Sequence, residues 1–445
     1  MRTSIIHLLF AVLAVGAVRG RSQLALEAAT DRTLYRSDIE NKVYVEARIR
    51  PAVTAVSEAS PTPVRNLAFV LDRSGTMAGA PIQALRQGMA AVLNSLSDRD
   101  VVSVVLFGSE VETVLEAKRR DQIDGPDRLL AQMEPAGGAA LYDALNQGAA
   151  QLRRYAGPAT INHLVLVTDG RPTKGPREFD DFSRLVGVFA REGTTLSTIG
   201  LGQDFDEDLL AAMARIGNGH FRYVDRPEKL VDAMQAEIAP LRSLLARDAV
   251  LTIEFGAAGR NVTSYGWEPA VVDQQTVTFR FPYLFGTQDL NVLASTVLPF
   301  RRFPYELAKV RLQWKEAASD ATHELTQTLS VAFEADLRSV RSSVDPVVTR
   351  ACVNTLISEG MQRAIEQLDK GNFGRALRAL RTARSDARTL NFDLEDAQID
   401  AKIQQLDTYI AEVQARGLNR LDRKVLRSGL FNEFATPTAD DHPDN

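Results

Sequence analysis

The sequence predicts an α/β protein: a doubly wound, mostly parallel sheet inserted beside an antiparallel β-sandwich, with a C-terminal α-helical region. Three observations predict it. Through the middle of the chain, short uninterrupted apolar runs alternate with apolar residues at helical spacing, as in βαβ units whose strands are covered on both faces. On either side of that stretch the pattern has a period of two, with turn residues between strands. From about Asp345 the spacing becomes helical.

With 445 residues the chain is too long for one ordinary core. Apolar residues at 45% and charged residues at 24% are the balance of a folded globular protein. A net charge of −5 argues against a nucleic-acid partner, which would call for a basic surface. Arg2 precedes the apolar run Leu8-Leu9-Phe10-Ala11-Val12-Leu13-Ala14-Val15-Gly16-Ala17-Val18, and polar residues resume at Arg19. That pattern predicts a signal peptide over residues 1–20, cleaved between Gly16 and Arg21. The run is shorter than the roughly 20 residues a span needs. No other stretch approaches that length, so no transmembrane span is expected after cleavage. Cys352 is the only cysteine, which precludes an intrachain disulfide. A secreted animal protein of this size would usually carry several, so an exported bacterial protein, periplasmic or at the cell surface, is expected.

The elements follow in order. In the N-terminal segment, residues 21–62, Val43, Val45, Ala47 and Ile49 alternate with Tyr44, Glu46, Arg48 and Arg50, predicting a half-buried antiparallel strand. A Ser-, Pro- and Thr-rich linker follows over 57–63. The α/β domain is expected over 63–245. Leu67-Ala68-Phe69-Val70-Leu71 is its first strand, and Ile82, Leu85, Met89, Val92, Leu93 and Leu96 line the first helix. Further strands are predicted at 101–107, 164–167, 194–201 and 220–224. Helix faces lie between and after them, one marked by Phe179, Phe182, Leu185, Val186 and Phe189. Residues 246–342 return to strands, at 250–255, 276–281, 291–297 and 308–314, separated by turns. The strand at 42–50 lacks a neighbour of its own and is expected to join this sandwich, which makes the α/β domain an insertion. Residues 343–430 read as a small helical bundle with a turn at Lys370-Gly371-Asn372, and the polar tail 431–445 as disordered.

Asp72, Ser74 and Thr76 stand at i, i+2 and i+4 directly after the first buried strand. Ligands of open α/β sheets bind at the carboxyl ends of strands, which is where this loop falls. The loop has one glycine and no lysine, so neither dinucleotide nor P-loop phosphate binding is expected. A carboxylate and two hydroxyls are hard oxygen donors, suited to Mg2+ or Mn2+. Asp169, after the strand at 164–167, would share that edge if its strand neighbours the first.

With those residues in place, the stretch from about 63 to 245 resembles the von Willebrand factor A family, whose metal-ion-dependent adhesion site has an Asp-x-Ser-x-Ser loop. Asp72 and Ser74 match, and Thr76 keeps the hydroxyl of the last serine. Asp169 matches the family's third-loop aspartate. Leu106-Phe107-Gly108, Leu141-Tyr142-Asp143-Ala144-Leu145 and Ile199-Gly200-Leu201-Gly202 follow in family order. The resemblance implies metal ligation by Asp72, Ser74, Thr76 and Asp169, and a partner protein whose acidic side chain completes the ion's coordination. One position departs: the family's second-loop threonine falls at Ala139, which has no ligand to offer. Flanking strands around a central A domain also resemble bacterial members that share regions with inter-alpha-trypsin-inhibitor heavy chains.

Nothing else in the sequence forms a rival site. His163, His220, His323 and His442 are scattered, and Ser74 has no His–Asp arrangement around it. Arg375, Arg378, Arg381, Arg384 and Arg388 recur at helical spacing, as on a solvated face. The expectation is therefore a protein-binding function and no enzyme activity. Two alternatives stand beside it: a metal-independent scaffold that binds through the sandwich and helical region, and a metal-dependent hydrolase.

Overall fold

The computed structural model describes residues 23–52, 63–123, 131–157, 160–267, 269–287, 289–299, 303–317 and 321–415. The predicted signal peptide, most of the predicted Ser/Pro-rich linker, and the polar tail lie outside the described residues. So do residues 416–430 of the helical region.

The chain enters through β1 (Leu24–Thr30), β2 (Leu34–Arg36) and β3 (Asn41–Pro51), then passes into β4 (Val64–Asp72). The central domain continues with α1 (Ala80–Ser95), β5 (Val101–Phe107), β6 (Val111–Arg119), α2 (Leu141–Arg153), β7 (Thr160–Thr168) and α3 (Phe179–Arg191). It closes with β8 (Thr194–Leu201), α4 (Glu207–Ile216), β9 (Asn218–Val224) and α5 (Leu230–Ile238). Its six strands run in the order β6-β5-β4-β7-β8-β9. All neighbours are parallel except the β5–β6 edge hairpin.

The apolar run of β4 serves two cores at once. Leu67, Phe69 and Leu71 pack with Leu85, Met89, Leu230 and Met234 from α1 and α5. Ala68 and Val70 face Leu145, Phe182 and Met213 from α2, α3 and α4. This two-sided burial is why no polar residue falls between Leu67 and Leu71. On α3 the covered face is Phe182, Leu185, Val186 and Phe189, while Phe179 at the first turn is 49% exposed.

The sandwich follows as β10 (Leu244–Phe255), β11 (Arg260–Tyr265), β12 (Val271–Val272), β13 (Thr276–Phe285), β14 (Leu290–Leu298), β15 (Tyr305–Glu316) and β16 (Thr322–Glu334). One sheet is ordered β1-β3-β14-β11 and the other β12-β13-β10-β15-β16-β2. The predicted strand at 42–50 is β3, paired antiparallel with both β1 and β14. The α/β domain is thus inserted between strands of one sandwich. Val43, Val45, Ala47 and Ile49 face the opposing sheet's Leu251, Ile253, Phe279 and Leu312.

The other side of β3 differs from expectation. It reads as a polar face, yet Tyr44 and Glu46 are buried there. The helical region covers it: α6 (Leu337–Ser342), α7 (Pro346–Asp369), α8 (Phe373–Leu394) and α9 (Ala397–Ala415). Tyr44, Tyr265 and Leu293 pack with Val348, Cys352 and Leu356 of α7. Glu46 tolerates burial through Arg48, whose guanidinium donates to its carboxylate at 3.1 Å. Asp345 caps α7 by accepting from Val347 and Val348, and Pro346 fills the first helical position. Gly371 turns the chain between α7 and α8 at φ +71°. Among the described residues no helix is long and apolar enough to cross a membrane.

Cys352 is fully buried, and burial pushes its thiol well up. It is expected to react with a thiol reagent only after unfolding, so rapid native labelling at pH 8 would contradict this packing.

Candidate functional site

Asp72 is the last residue of β4 and Thr168 the last of β7. The parallel register pairs Leu71 with Val167, so Asp72 and Thr168 come abreast. The Thr168 hydroxyl donates to Asp72 Oδ2 at 2.5 Å, and the Ser74 backbone N–H donates to Oδ1 at 2.7 Å. Ser74 Oγ lies 3.0 Å from Thr76 Oγ1, which donates to Asp169 Oδ1 at 2.9 Å. A hydroxyl has one proton, so Ser74 is the donor in the pair with Thr76. Asp72, Ser74, Thr76 and Asp169 are thereby brought together at the carboxyl edge of the sheet.

Burial pushes the Asp72 carboxyl up to about 6 against the hydrogen bonds from Thr168 and Ser74, with the charge of Asp169 adding to the rise. Asp169 is likewise raised by burial, with nearby Asp204 contributing, against the hydrogen bond from Thr76. Among the described residues no ion pair joins Asp72 or Asp169 to a cationic side chain. The edge therefore gathers carboxylate charge that the protein's own cations leave uncompensated.

The second loop is stitched to the first through backbone. Ala136 N–H donates to Arg73 C=O at 2.6 Å, Gly75 N–H to Gly137 C=O at 2.9 Å, and Ala140 N–H to Gly108 C=O at 2.8 Å. Ala139 sits within this loop, its methyl in the apolar cluster with Phe107 and Leu141. Its N–H donates to Thr173 Oγ1 at 2.7 Å, and its carbonyl accepts from Thr173 and Lys174 N–H groups. Thr173 thus braces the loop that lacks the threonine. Arg73, between the two acidic-loop residues, turns outward to Glu112 at 2.8 Å.

A Cβ built on Gly108 would lie 2.0 Å from the Ala136 carbonyl oxygen. Both atoms belong to the stitched loops, so Gly108→Ala is expected to cost about 1–3 kcal/mol. Urea unfolding measures it, and a loss below about 0.5 kcal/mol would mean the loops yield freely.

Sequence reasoning missed two contributors. Thr168 and Thr173 act through cross-loop hydrogen bonds, and their only signal was position at the end of a strand and in the loop after Asp169. His163 and His220, scattered in sequence, meet around Glu237 on α5, at 3.6 and 3.0 Å. Among the described residues no three His, Cys, Asp or Glu side chains cluster as a metal-holding group. An ion at the Asp72 edge would rest on two carboxylates and hydroxyls. The predicted Arg face on α8 is partly engaged: Arg384 and Arg388 both reach Asp407 on α9.

Residues 65–223 match the family model of the von Willebrand factor type A domain. A Synechocystis protein, sll0103, is 22% identical over 335 residues, covering 72% of this chain and 78% of that protein. Escherichia coli YfbK is 26% identical over 209 residues, 46% of this chain and 35% of YfbK. Mouse inter-alpha-trypsin inhibitor heavy chain H2 is 28% identical over 163 residues, 35% of this chain and 17% of the heavy chain. The match therefore spans most of the first relative but a minor part of the other two. Among solved structures, a von Willebrand factor type A protein from Catenulispora acidiphila superposes with a TM-score of 0.67 at 15% identity, covering 93% of this chain and 98% of that one. The ArnB paralog VWA2 from Sulfolobus acidocaldarius gives 0.61 at 18% identity, covering 93% and 99%. These two share the fold over nearly the whole described architecture.

Proposed function

With a von Willebrand factor A domain at its centre, we propose that this chain is an exported binding protein that engages another protein at the edge bearing Asp72, Ser74, Thr76 and Asp169. Such domains typically bind other proteins, and a heavy chain is by name one component of a larger inhibitor. In this reading a divalent ion, Mg2+ or Mn2+, bridges the edge to an acidic side chain of the partner. No catalytic step is assigned to the chain.

The observation that carries the reading is the hydrogen-bonded run from Asp72 through Ser74 and Thr76 to Asp169, ending in two carboxyls without a cationic partner. The donor set is all oxygen, as Mg2+ prefers, and each carboxylate oxygen retains a second lone pair after its hydrogen bond. When bound, the ion would supply positive charge and an open coordination position. The chain's part is to hold Asp72 through Thr168 and to aim the hydroxyls of Ser74 and Thr76. Residues 1–20 support export through their basic start and apolar run.

An affinity capture from the native envelope fraction, with and without EDTA, tests partner and metal together. Retention lost with EDTA, restored by Mg2+ and absent for Asp72→Ala is the expected result. Retention indifferent to both would transfer binding to the sandwich and helices. Ala139→Thr is expected to restore the missing hydroxyl and tighten Mg2+ on the order of tenfold, judged from the 10–100-fold effects of groups that support metal ligands. Calorimetric titration reads this directly, and unchanged affinity would show that Ala139 is not the weak point of the site.

A further inference from the structure

Helix α8 carries five arginines and no lysine, Arg375, Arg378, Arg381, Arg384 and Arg388, in a chain whose net charge is −5. At helical spacing, Arg378, Arg381, Arg384 and Arg388 fall with Phe373 and Phe392 inside one arc of about 140°, and Arg375 flanks it. The buried stripe of the same helix, Ala376, Leu380, Ala383 and Ala387, lies outside that arc.

Carboxylates neutralise only part of this face. Arg384 and Arg388 share Asp407 of α9, at 2.6 and 2.9 Å. Asp386 is turned to Lys42 of β3 at 3.6 Å. Arg375, Arg378 and Arg381 are exposed and form no ion pair among the described residues.

Each end of the stripe is marked by an exposed aromatic ring. Phe373 opens the helix at 53% exposure, and Phe392 stands at 67%, about 28 Å further along the axis. The Arg341 guanidinium lies 5.1 Å over the Phe392 ring. Ile39 and Leu337, both exposed, open on the same cleft as Phe392. Apolar side chains thus project into solvent beside guanidiniums. A nucleic-acid backbone would take the charges and leave these side chains in water. A lipid surface uses both: guanidiniums pair with headgroup phosphates, often through two parallel hydrogen bonds, and rings enter the boundary with the acyl chains.

We propose that this face of α8 is a docking surface for a membrane rich in anionic phospholipid, with Arg375, Arg378, Arg381 and Arg388 on the phosphates and Phe373 and Phe392 as shallow anchors. The contact is peripheral, needs no metal and does not involve the Asp72 edge.

Protein recovered from cells expressing the full sequence is mixed with vesicles of phosphatidylcholine, or of phosphatidylcholine with a third of it replaced by phosphatidylglycerol. Co-sedimentation is expected with the anionic vesicles and should fall at high salt. Arg378→Gln/Arg381→Gln should weaken it about 25-fold, from about fivefold per guanidinium at an anionic surface. Phe373→Ser/Phe392→Ser keeps every charge and should weaken it about tenfold by removing both anchors. All four positions are exposed, so these changes leave the core intact. Equal binding to the two kinds of vesicle, or unchanged binding by Arg378→Gln/Arg381→Gln, would overturn the proposal. So would binding indifferent to the Phe pair, and its displacement by soluble poly-L-glutamate would then assign the face to an acidic protein.

Discussion

Replacing Glu237 by alanine is expected to remove about 3–5 kcal/mol of folding stability at pH 7, the usual cost of breaking a buried charge network on one side. Glu237 is 2% exposed, on α5. Its carboxylate accepts from Ser197 Oγ at 2.5 Å, His220 Nδ1 at 3.0 Å and Arg222 Nε at 2.8 Å. Removing it leaves the fully buried Ser197 without that acceptor and takes the partner from the half-buried His220 and Arg222, and Ser197 also holds the His220 backbone N–H. Burial by itself would raise the carboxyl, but His220, His163 and Arg222 together hold it well below its ordinary 4.5. A folded-state value below the unfolded one contributes stability that is present above pH 4.5 and lost as pH falls through the folded value. The parent should therefore lose stability on acidification, and Glu237→Ala should lose less from the same starting point. Urea unfolding at pH 7 and pH 3 measures both. A cost under 1 kcal/mol at pH 7, or identical acid limbs, would show that the network is not supporting the fold.

Asp72→Asn should act in the opposite direction on the metal-free protein. The folded-state value of Asp72 is about 6 against an ordinary 3.8, with burial the main cause. A raised carboxyl costs stability once it must ionise: the folded state is favoured below pH 4, and that advantage is lost as pH rises through 6. About two pH units correspond to a ceiling of about 3 kcal/mol, so a gain of about 1–3 kcal/mol at pH 7 is expected from asparagine. The amide fits the same partners, its oxygen accepting from Ser74 N–H and its nitrogen donating to Thr168 Oγ1 once that hydroxyl turns. Thermal unfolding in EDTA reads the gain, and added Mg2+ should then raise the parent's melting temperature but not the variant's. A variant less stable than the parent in EDTA at pH 7 would show that the carboxylate is compensated in a way these contacts do not reveal.

The two variants act on opposite ends of one sheet, and both effects arise from burial. Glu237 has donors on both oxygens, including a guanidinium, and is stabilised by its setting. Asp72 has two neutral donors and another carboxyl nearby, and is destabilised by its setting. A buried charge kept at such a cost suits a site that binds a cation.

Much of this protein was legible in order along the chain. The uninterrupted run Leu67-Ala68-Phe69-Val70-Leu71, the helix-spaced residues after it and the alternation around Val43, Val45 and Ala47 reflect local periodicity, which records how many faces of an element are covered. The spacing of Asp72, Ser74 and Thr76 at the end of a covered strand was equally local. The helical spacing that begins near Asp345 was legible for the same reason.

Only the tertiary structure could decide what depended on register between distant segments. The parallel pairing of β4 with β7 brings Thr168 onto Asp72 and Asp169 within reach of Thr76. Packing of α7 over β3 buries Tyr44 and Glu46 on a face whose alternation alone reads as solvated. Folding of β7, β9 and α5 onto one another collects His163, His220 and Glu237 from separate parts of the sequence. Periodicity specifies which side of an element is apolar. It carries no information about which polar residue of another element will arrive opposite it, because that is set by the packing of all the elements together.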